Sequence, residues 1–123
     1  MPVTDESAPR VTGLVVRVAG ARWFIPVAEV VEVLREPTVA RLPAASPSVA
    51  GVVNHRGRVL TVADPVRALE LPGQAGGRRD VIVVVAAGHR FAVAVDAVIE
   101  LVAEPRTGLA TLDLGAVARA VFG

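Results

Sequence analysis

An all-β barrel or sandwich is the fold class this sequence predicts, and three observations lead there. From Val11 onward the chain is a series of short Val-rich segments punctuated by Gly, Pro and Asn, the spacing of successive hairpins. Val and Ala dominate the apolar residues, and β-branched Val suits a pleated, half-buried surface. A chain of 123 residues, 53% hydrophobic and 20% charged, fits one domain with a modest core and is too apolar for wholesale disorder.

The elements follow in order. Residues 1–10 (MPVTDESAPR) read as a frayed tail. Val11 to Val18 and Arg22 to Val27 form a first hairpin around Ala19-Gly20-Ala21, with Pro26 at a strand end because it cannot donate to a ladder. Val27 to Arg35 has apolar residues at helical spacing but is rich in Val. A turn of helix near Val27 to Val30 and a strand over Val31 to Arg35 reconcile the two. After Glu36-Pro37, Thr38 to Leu42 is expected to be extended, and Ala44 to Val49 a loop with a short helical turn. Val49 to Asn54 and Arg58 to Ala63 make a second hairpin, with Asn54 and Gly57 suited to positive φ at its corner. Asp64 should cap a single helical turn, Pro65 to Leu69. Leu71 to Arg79 is the most loop-like stretch and divides the chain in two. Asp80 to Ala86 reads as a strand buried on both faces, and Ala87 to Arg90 turns it into Phe91 to Val95. Ala97 to Val102 is a further strand, Leu109 to Leu114 a last one, and Ala116 to Phe122 a terminal helix.

Composition excludes several function classes. There is no Cys, hence no disulfide framework, thiolate zinc or cysteine catalysis. All 13 basic residues are Arg, against 12 acids, a near balance unlike the excess of a nucleic-acid binder. The four aromatics, Trp23, Phe24, Phe91 and Phe122, are too few for a base-stacking surface. The N-terminus lacks the basic-then-apolar pattern of a signal peptide, and the longest apolar run, Val81 to Ala87, is far below the ~20 residues of a membrane span. A cytoplasmic protein is expected, with no direct membrane binding.

Candidate chemistry is sparse. His55 and His89 lie at hairpin corners without local ligand partners and read as solvated turn residues, so no metal site is expected. Ser7, Ser46 and Ser48 lie in no nucleophile motif, and no catalytic residue is assigned. Ala75 to Arg79 (AGGRR) lacks the Lys and Ser/Thr of a phosphate loop and reads as a linker. Asp96 should end a strand or cap a turn. Glu32 interrupts an apolar run and Arg56 sits in a tight corner; they are either an Arg fork on a carboxylate or two separately exposed charges. On residues alone this is a small all-β, non-enzymatic, protein-binding module that needs no cofactor.

From Val30 to Asp64 the residues become specific. An apolar-x-Glu-apolar segment (Val30 to Val33), Arg41-Leu42-Pro43, a Gly-apolar-apolar-Asn-x-Arg-Gly corner (Gly51 to Gly57) and an apolar strand closed by Asp (Val59 to Asp64) resemble the CheW family of chemosensory coupling proteins. Asp80 to Ala86, Gly88 to Val95 and Val95-Asp96-x-Val98 with Glu100 extend the resemblance over about residues 13 to 103. It implies two packed SH3-like β-barrel subdomains and no catalytic site. The first would span about 11–70 and the second, 80–123, would be shortened and end in the helix. It also implies an adaptor joining the cytoplasmic hairpin of a chemoreceptor to the regulatory domain of a CheA-type histidine kinase. The receptor helix would lie in an apolar groove between the barrels. Carried over, Glu32 and Arg56 form an ion pair beside that groove, with Val30, Gly51, Asn54 and, from the second barrel, Leu101 on the receptor-binding face.

Departures from the family pattern are informative. His55 stands where the corner is usually apolar, at a position expected to be exposed; Thr61 replaces a common Pro and Pro65 a common Leu. Only Ala103 to Gly108 separates the last two expected strands, where the family has a long loop and another strand. Shortened adaptors of the Frz type are similar in this respect. The shortening predicts retained receptor binding and weakened kinase coupling. Alternatives are a self-associating β-barrel that assembles through its open edge, and a nucleic-acid-binding SH3-like barrel.

Overall fold

Eight strands and two short helices are arranged as two sheets in the computed structural model, which describes residues 10–43, 46–74, 80–104 and 108–123. The expected tail, part of the 44–49 loop and the AGGRR stretch lie outside the described residues. The strands are β1 (Gly13–Val18), β2 (Ala21–Pro26), β3 (Val30–Arg35), β4 (Val49–His55), β5 (Arg58–Ala63), β6 (Asp80–Ala86), β7 (His89–Val95) and β8 (Ala97–Val102). A single 3-10 turn, Val27–Glu29, precedes β3, and helices α1 (Pro65–Ala68) and α2 (Leu114–Phe122) complete the chain. The domain is mostly β with a short C-terminal helix, as the sequence predicts.

The three hairpins are built by one local device. Their two-residue loops, Ala19-Gly20, Arg56-Gly57 and Ala87-Gly88, all have positive φ at both positions, the type I′ geometry whose twist matches the flanking strands. Asn54 is not one of these residues. It belongs to β4, and its Oδ1 accepts the Gly57 N–H at 3.0 Å, so it braces the turn from outside. Asp96 also supports a turn, accepting the Gly20 N–H at 3.2 Å.

Sheet partners are set by distant pairings. One sheet has the order β2-β1-β8 and the other β3-β6-β7-β5-β4. Each therefore takes strands from both sides of residues 71–79, so the expected boundary there does not separate two barrels. Instead β3 to β7 form one unit. After β3 the chain turns at Glu36 (φ 47°), and Ala40 exchanges both backbone hydrogen bonds with Val52 of β4, at 2.9 and 2.8 Å. That bridge joins β4, one edge of the five-stranded sheet, to the chain leaving β3, the other, and curls the sheet into a closed barrel. It is all that forms of the strand expected over Thr38 to Leu42.

The shortened unit is β2-β1-β8, with Thr111 bridging Phe24 in place of the strand expected over Leu109 to Leu114. Helix α2 starts two residues earlier than the sequence reading because Asp113 caps it, accepting the Ala116 N–H at 3.0 Å. Asp64 caps α1 in the same way, accepting the Val66 N–H at 3.0 Å.

Alternation along the strands sorts the apolar residues into three layers. Val81, Val83, Ala92 and Ala94 join Val53, Leu60 and Val62 inside the barrel. Ile82, Val84, Phe91, Val93 and Val95 face the opposite way, against Leu14, Val16 and Ile25 of the other sheet and Leu114 and Val117 of α2. Val15, Phe24 and Val102 form a small third cluster on the outer side of β2-β1-β8. There a Cβ on Gly13 would lie 2.2 Å from the Phe24 ring, so the ring fills the space that a fuller barrel would enclose.

A Cβ at Gly51 would meet the Ala40 carbonyl oxygen at 2.2 Å, whereas at Gly57 it would meet nothing within 4 Å. Gly51→Ala should therefore destabilise the domain by about 3 kcal/mol through forced opening of the Ala40–Val52 bridge. Gly57→Ala should cost only about 1 kcal/mol, from its positive φ. Urea denaturation of the two variants checks the order.

Candidate functional site

The β4–β5 turn sets the geometry of the most concentrated charge in the fold. Glu32 shares a strand face with Leu34, which packs against the barrel interior. His55 shares one with Val53, itself in that interior. Both side chains thus point into the same end of the barrel from strands at opposite edges of the sheet. There the His55 Nε2 contacts the Glu32 Oε2. An ionised carboxylate has only acceptors, so Nε2 carries the proton of this contact. Arg56 adds its Nε, 3.4 Å from Oε2, and its Nη2, 3.5 Å from Oε1. The side chains of His55, Glu32 and Arg56 are 5%, 34% and 78% exposed, a gradient from barrel end to solvent.

His55 is therefore not a solvated turn residue. The strand runs one residue further than the sequence reading allowed, which turns the ring inward. A signal was available: His55 lies two residues after core-facing Val53, the period of a strand face. His89 is exposed, but its ring stacks on Phe122 of α2 with centroids 4.4 Å apart, and Phe122 also meets the edge of Phe91 at 5.7 Å.

A second feature lies between the sheets. Among the described residues strand β3 pairs with β6 alone and β8 with β1 alone, so each lies at the end of its sheet. One pair of their ends is tied together through Asp80. Asp80, 4% exposed, accepts the Val98 N–H at 3.1 Å, the Arg35 Nη1 at 3.4 Å and the Glu36 N–H at 3.4 Å. At the other end Thr12 extends β1: its N–H donates to the Val102 carbonyl at 2.8 Å on the β8 side, and its carbonyl accepts the Val27 N–H at 2.9 Å on the β2 side. Exposed aliphatic side chains lie along these strands. Val31 on the β3 side, Leu101 on the β8 side and Val27 at the Thr12 end are 42%, 61% and 40% exposed. Val30, Val33 and Val98 pack partly buried against the central core beneath.

The six sequence-predicted site residues separate into three groups. Glu32, Asn54 and Arg56 gather at the β4–β5 turn; Val30 and Leu101 belong to β3 and β8, strands at the ends of the two sheets. Gly51 is buried beneath Val39 and Ala40 and presents no surface, so its role in this structure is barrel closure. Val27, Val31 and Asp80 were not singled out in the sequence. Val31 sits at an irregularity in the β3–β6 register, between Val30 and Glu32, which alternation does not foresee.

Among the described residues no three His, Cys, Asp or Glu side chains could jointly hold a metal ion, and no helix is long and apolar enough to cross a membrane. A cavity of about 210 Å³ opens at the other end of the barrel, lined by Val39, Arg41, Val62 and Asp80 among others.

The family described as "CheW-like domain" matches residues 12–118. The chain belongs to that family. This CheW-like domain is accordingly a member of the scaffold and coupling proteins of chemosensory signalling. A crystal structure of the scaffolding protein TtCheW from Thermoanaerobacter tengcongensis is similar in fold, with a TM-score of 0.64 and 22% identity, covering 85% of this chain and 77% of that one. Protein PilI of Pseudomonas aeruginosa is 38% identical over 64 residues, 52% of this chain and 36% of PilI. The similarity thus spans about a third of that relative's length.

Hydrogen bonds from His55 and then Arg56 hold the Glu32 carboxyl below its ordinary value of 4.5. A lowered carboxyl stabilises the fold fully above its unfolded value and loses that contribution as pH falls through the folded one. The thermal midpoint of the wild type should therefore fall more steeply below about pH 4.5 than that of Glu32→Gln, with the gap between them closing. Melts across pH 2.5–7 (approximately the window set by these values) check this.

Proposed function

We propose that this CheW-like domain is a non-enzymatic, cytoplasmic adaptor that binds the tip of a chemoreceptor's cytoplasmic hairpin and links it to a CheA-type histidine kinase. The observation that carries the reading is the pair of sheet-end strands β3 and β8 with exposed aliphatic side chains along them, which we read as the walls of a groove. Asp80 links the two strands at one end, and Val27, Val31 and Leu101 are exposed along them. An amphipathic helix lays its apolar face into such a groove, and polar groups beside it fix register. Glu32, one residue from Val31, connects the groove to Arg56 and Asn54 at the turn, so Val30, Glu32, Asn54, Arg56 and Leu101 belong to one receptor-binding face. Gly51 contributes by keeping the barrel shut.

Kinase coupling, in this reading, depends on the completeness of the second barrel. The β2-β1-β8 sheet has only three strands among the described residues, and Phe24 covers its outer side with Val15 and Val102, which supports a weaker kinase contact than a fuller barrel offers. The place of β8 at the end of its sheet supports a second reading, self-association through strand pairing.

A pull-down with two baits, a receptor cytoplasmic hairpin and a CheA-type regulatory domain, tests the proposal. Capture by the hairpin is expected, with weaker capture by the kinase domain. Arg56→Glu sets two acids against each other and should weaken hairpin binding at least about tenfold in a folded protein. Undiminished binding would remove the turn from the interface. Sedimentation that depends on protein concentration, with no capture by either bait, would favour self-association.

A further inference from the structure

We propose that His55 is a positioning residue: it anchors Glu32 in the barrel end, and so sets the pose in which Arg56 offers the outer edge of its guanidinium to an acidic side chain on a docked helix. This rests on the helix-binding reading above and names the chemistry of the contact.

The argument begins with what the pair would be without His55. An exposed Arg and a half-exposed Glu at 3.4–3.5 Å gain little in water and lose the freedom of two long side chains. Such a pair does not hold one geometry. His55 changes this because its own position is fixed. It ends β4 opposite Arg58, its side chain is 5% exposed, and the next two residues are committed to the turn. A ring with two rotatable bonds, packed in a barrel end, gives Glu32 a partner that does not move. The carboxylate then presents a fixed acceptor pair to Arg56.

Which edge of Arg56 is engaged decides the rest. Nε and Nη2 face Glu32, so Nη1 is left without a partner among the described residues and the group is 78% exposed. Arg58, exposed at the start of β5, also has no carboxylate partner among the described residues. The single Glu32 carboxylate faces two guanidinium groups, which leaves the turn with net positive charge. The exposed neighbour Val59, 69% accessible, stands opposite Asn54. An aliphatic surface carrying an oriented guanidinium edge fits a helix with a carboxylate beside its apolar face.

The test separates positioning from binding. In the full chain, solution NMR follows the Glu32 carboxyl titration and the exchange of the Arg56 Nε–H in the wild type, in His55→Leu and in His55→Gln. Leu should raise the Glu32 midpoint toward its ordinary value and speed Arg56 exchange by about threefold to tenfold, what one net hydrogen bond is worth. Gln, which keeps a donor, should restore part of the difference. An unchanged midpoint and exchange rate in folded His55→Leu overturns the positioning role. Should His55→Leu not fold, the wild type decides: its His55 Nε2 resonance must move with the Glu32 titration, and independence overturns the proposal. Binding to a receptor hairpin and to the same hairpin with its acidic residues amidated comes next. His55→Leu should weaken the first by about threefold to tenfold and leave the second unchanged. Equal loss on both would overturn recognition of an acidic group. Absence of wild-type binding with the NMR effects intact would instead sink the adaptor reading and leave the positioning role standing.

Discussion

Two adjacent strands whose faces are both apolar determine the rest of this structure. Residues of β6 and β7 alternate between the barrel interior and the central core, and only Val85, His89 and Arg90 of the fourteen are exposed. A sheet buried on both sides needs a layer on each. On one side the barrel curls round and closes on itself through Ala40 and Val52. On the other, β1, β2 and α2 supply a second apolar surface. The hydrophobic effect thus fixes a three-layer molecule before any polar contact is considered, and leaves the polar residues at layer ends and edges.

Asp80 and the Glu32–His55–Arg56 group occupy two such places. Each is an ionisable cluster at an end of the barrel, where a carboxylate receives several donors from separate elements. Asp80 is buried and serves backbone N–H groups of β8 and of the turn after β3, as well as Arg35. Glu32 is half-exposed and receives side chains only. The first arrangement fixes the width between two strands. The second grades from an interior ring to a solvated guanidinium and so carries the interior's rigidity to the surface. Membership of the CheW-like family fits a molecule whose polar groups organise its surfaces.

Local features of this fold were legible in the sequence and distant ones were not. All three hairpins and the Asp64 cap were readable because turn chemistry acts within four residues. The short helical turn before β3 was readable from the spacing of Val27, Val30 and Val31. Which strands share a sheet was not, because β8 meets β1 and β6 meets β3 along backbone edges that many strands could satisfy. Glu36 at positive φ hides the way the 38–42 segment leaves β3 to close the barrel. The burial of His55 was missed for a related reason. A turn was drawn one residue wide of its place, and a one-residue shift moves a side chain to the other face. The motif that exposed the family, by contrast, lies within one contiguous stretch and survives such errors.

The pairing of β1 with β8 has a consequence for how the chain reaches its native state. Gly13 finds its partner in Val102, and Arg17 in Ala97, so a strand near the start waits for one near the end. During synthesis β1 and β2 emerge as an isolated hairpin, which is marginal in water on its own, while β3 to β7 can close first. Contacts of such long sequence separation slow folding, because the connecting loop's entropy is lost before the contact forms. Until residue 102 clears the ribosome, the inner edge of β1 is an unsatisfied template for any passing strand. The order of synthesis, and the company the nascent chain keeps, therefore bear on its yield as much as the final stability does.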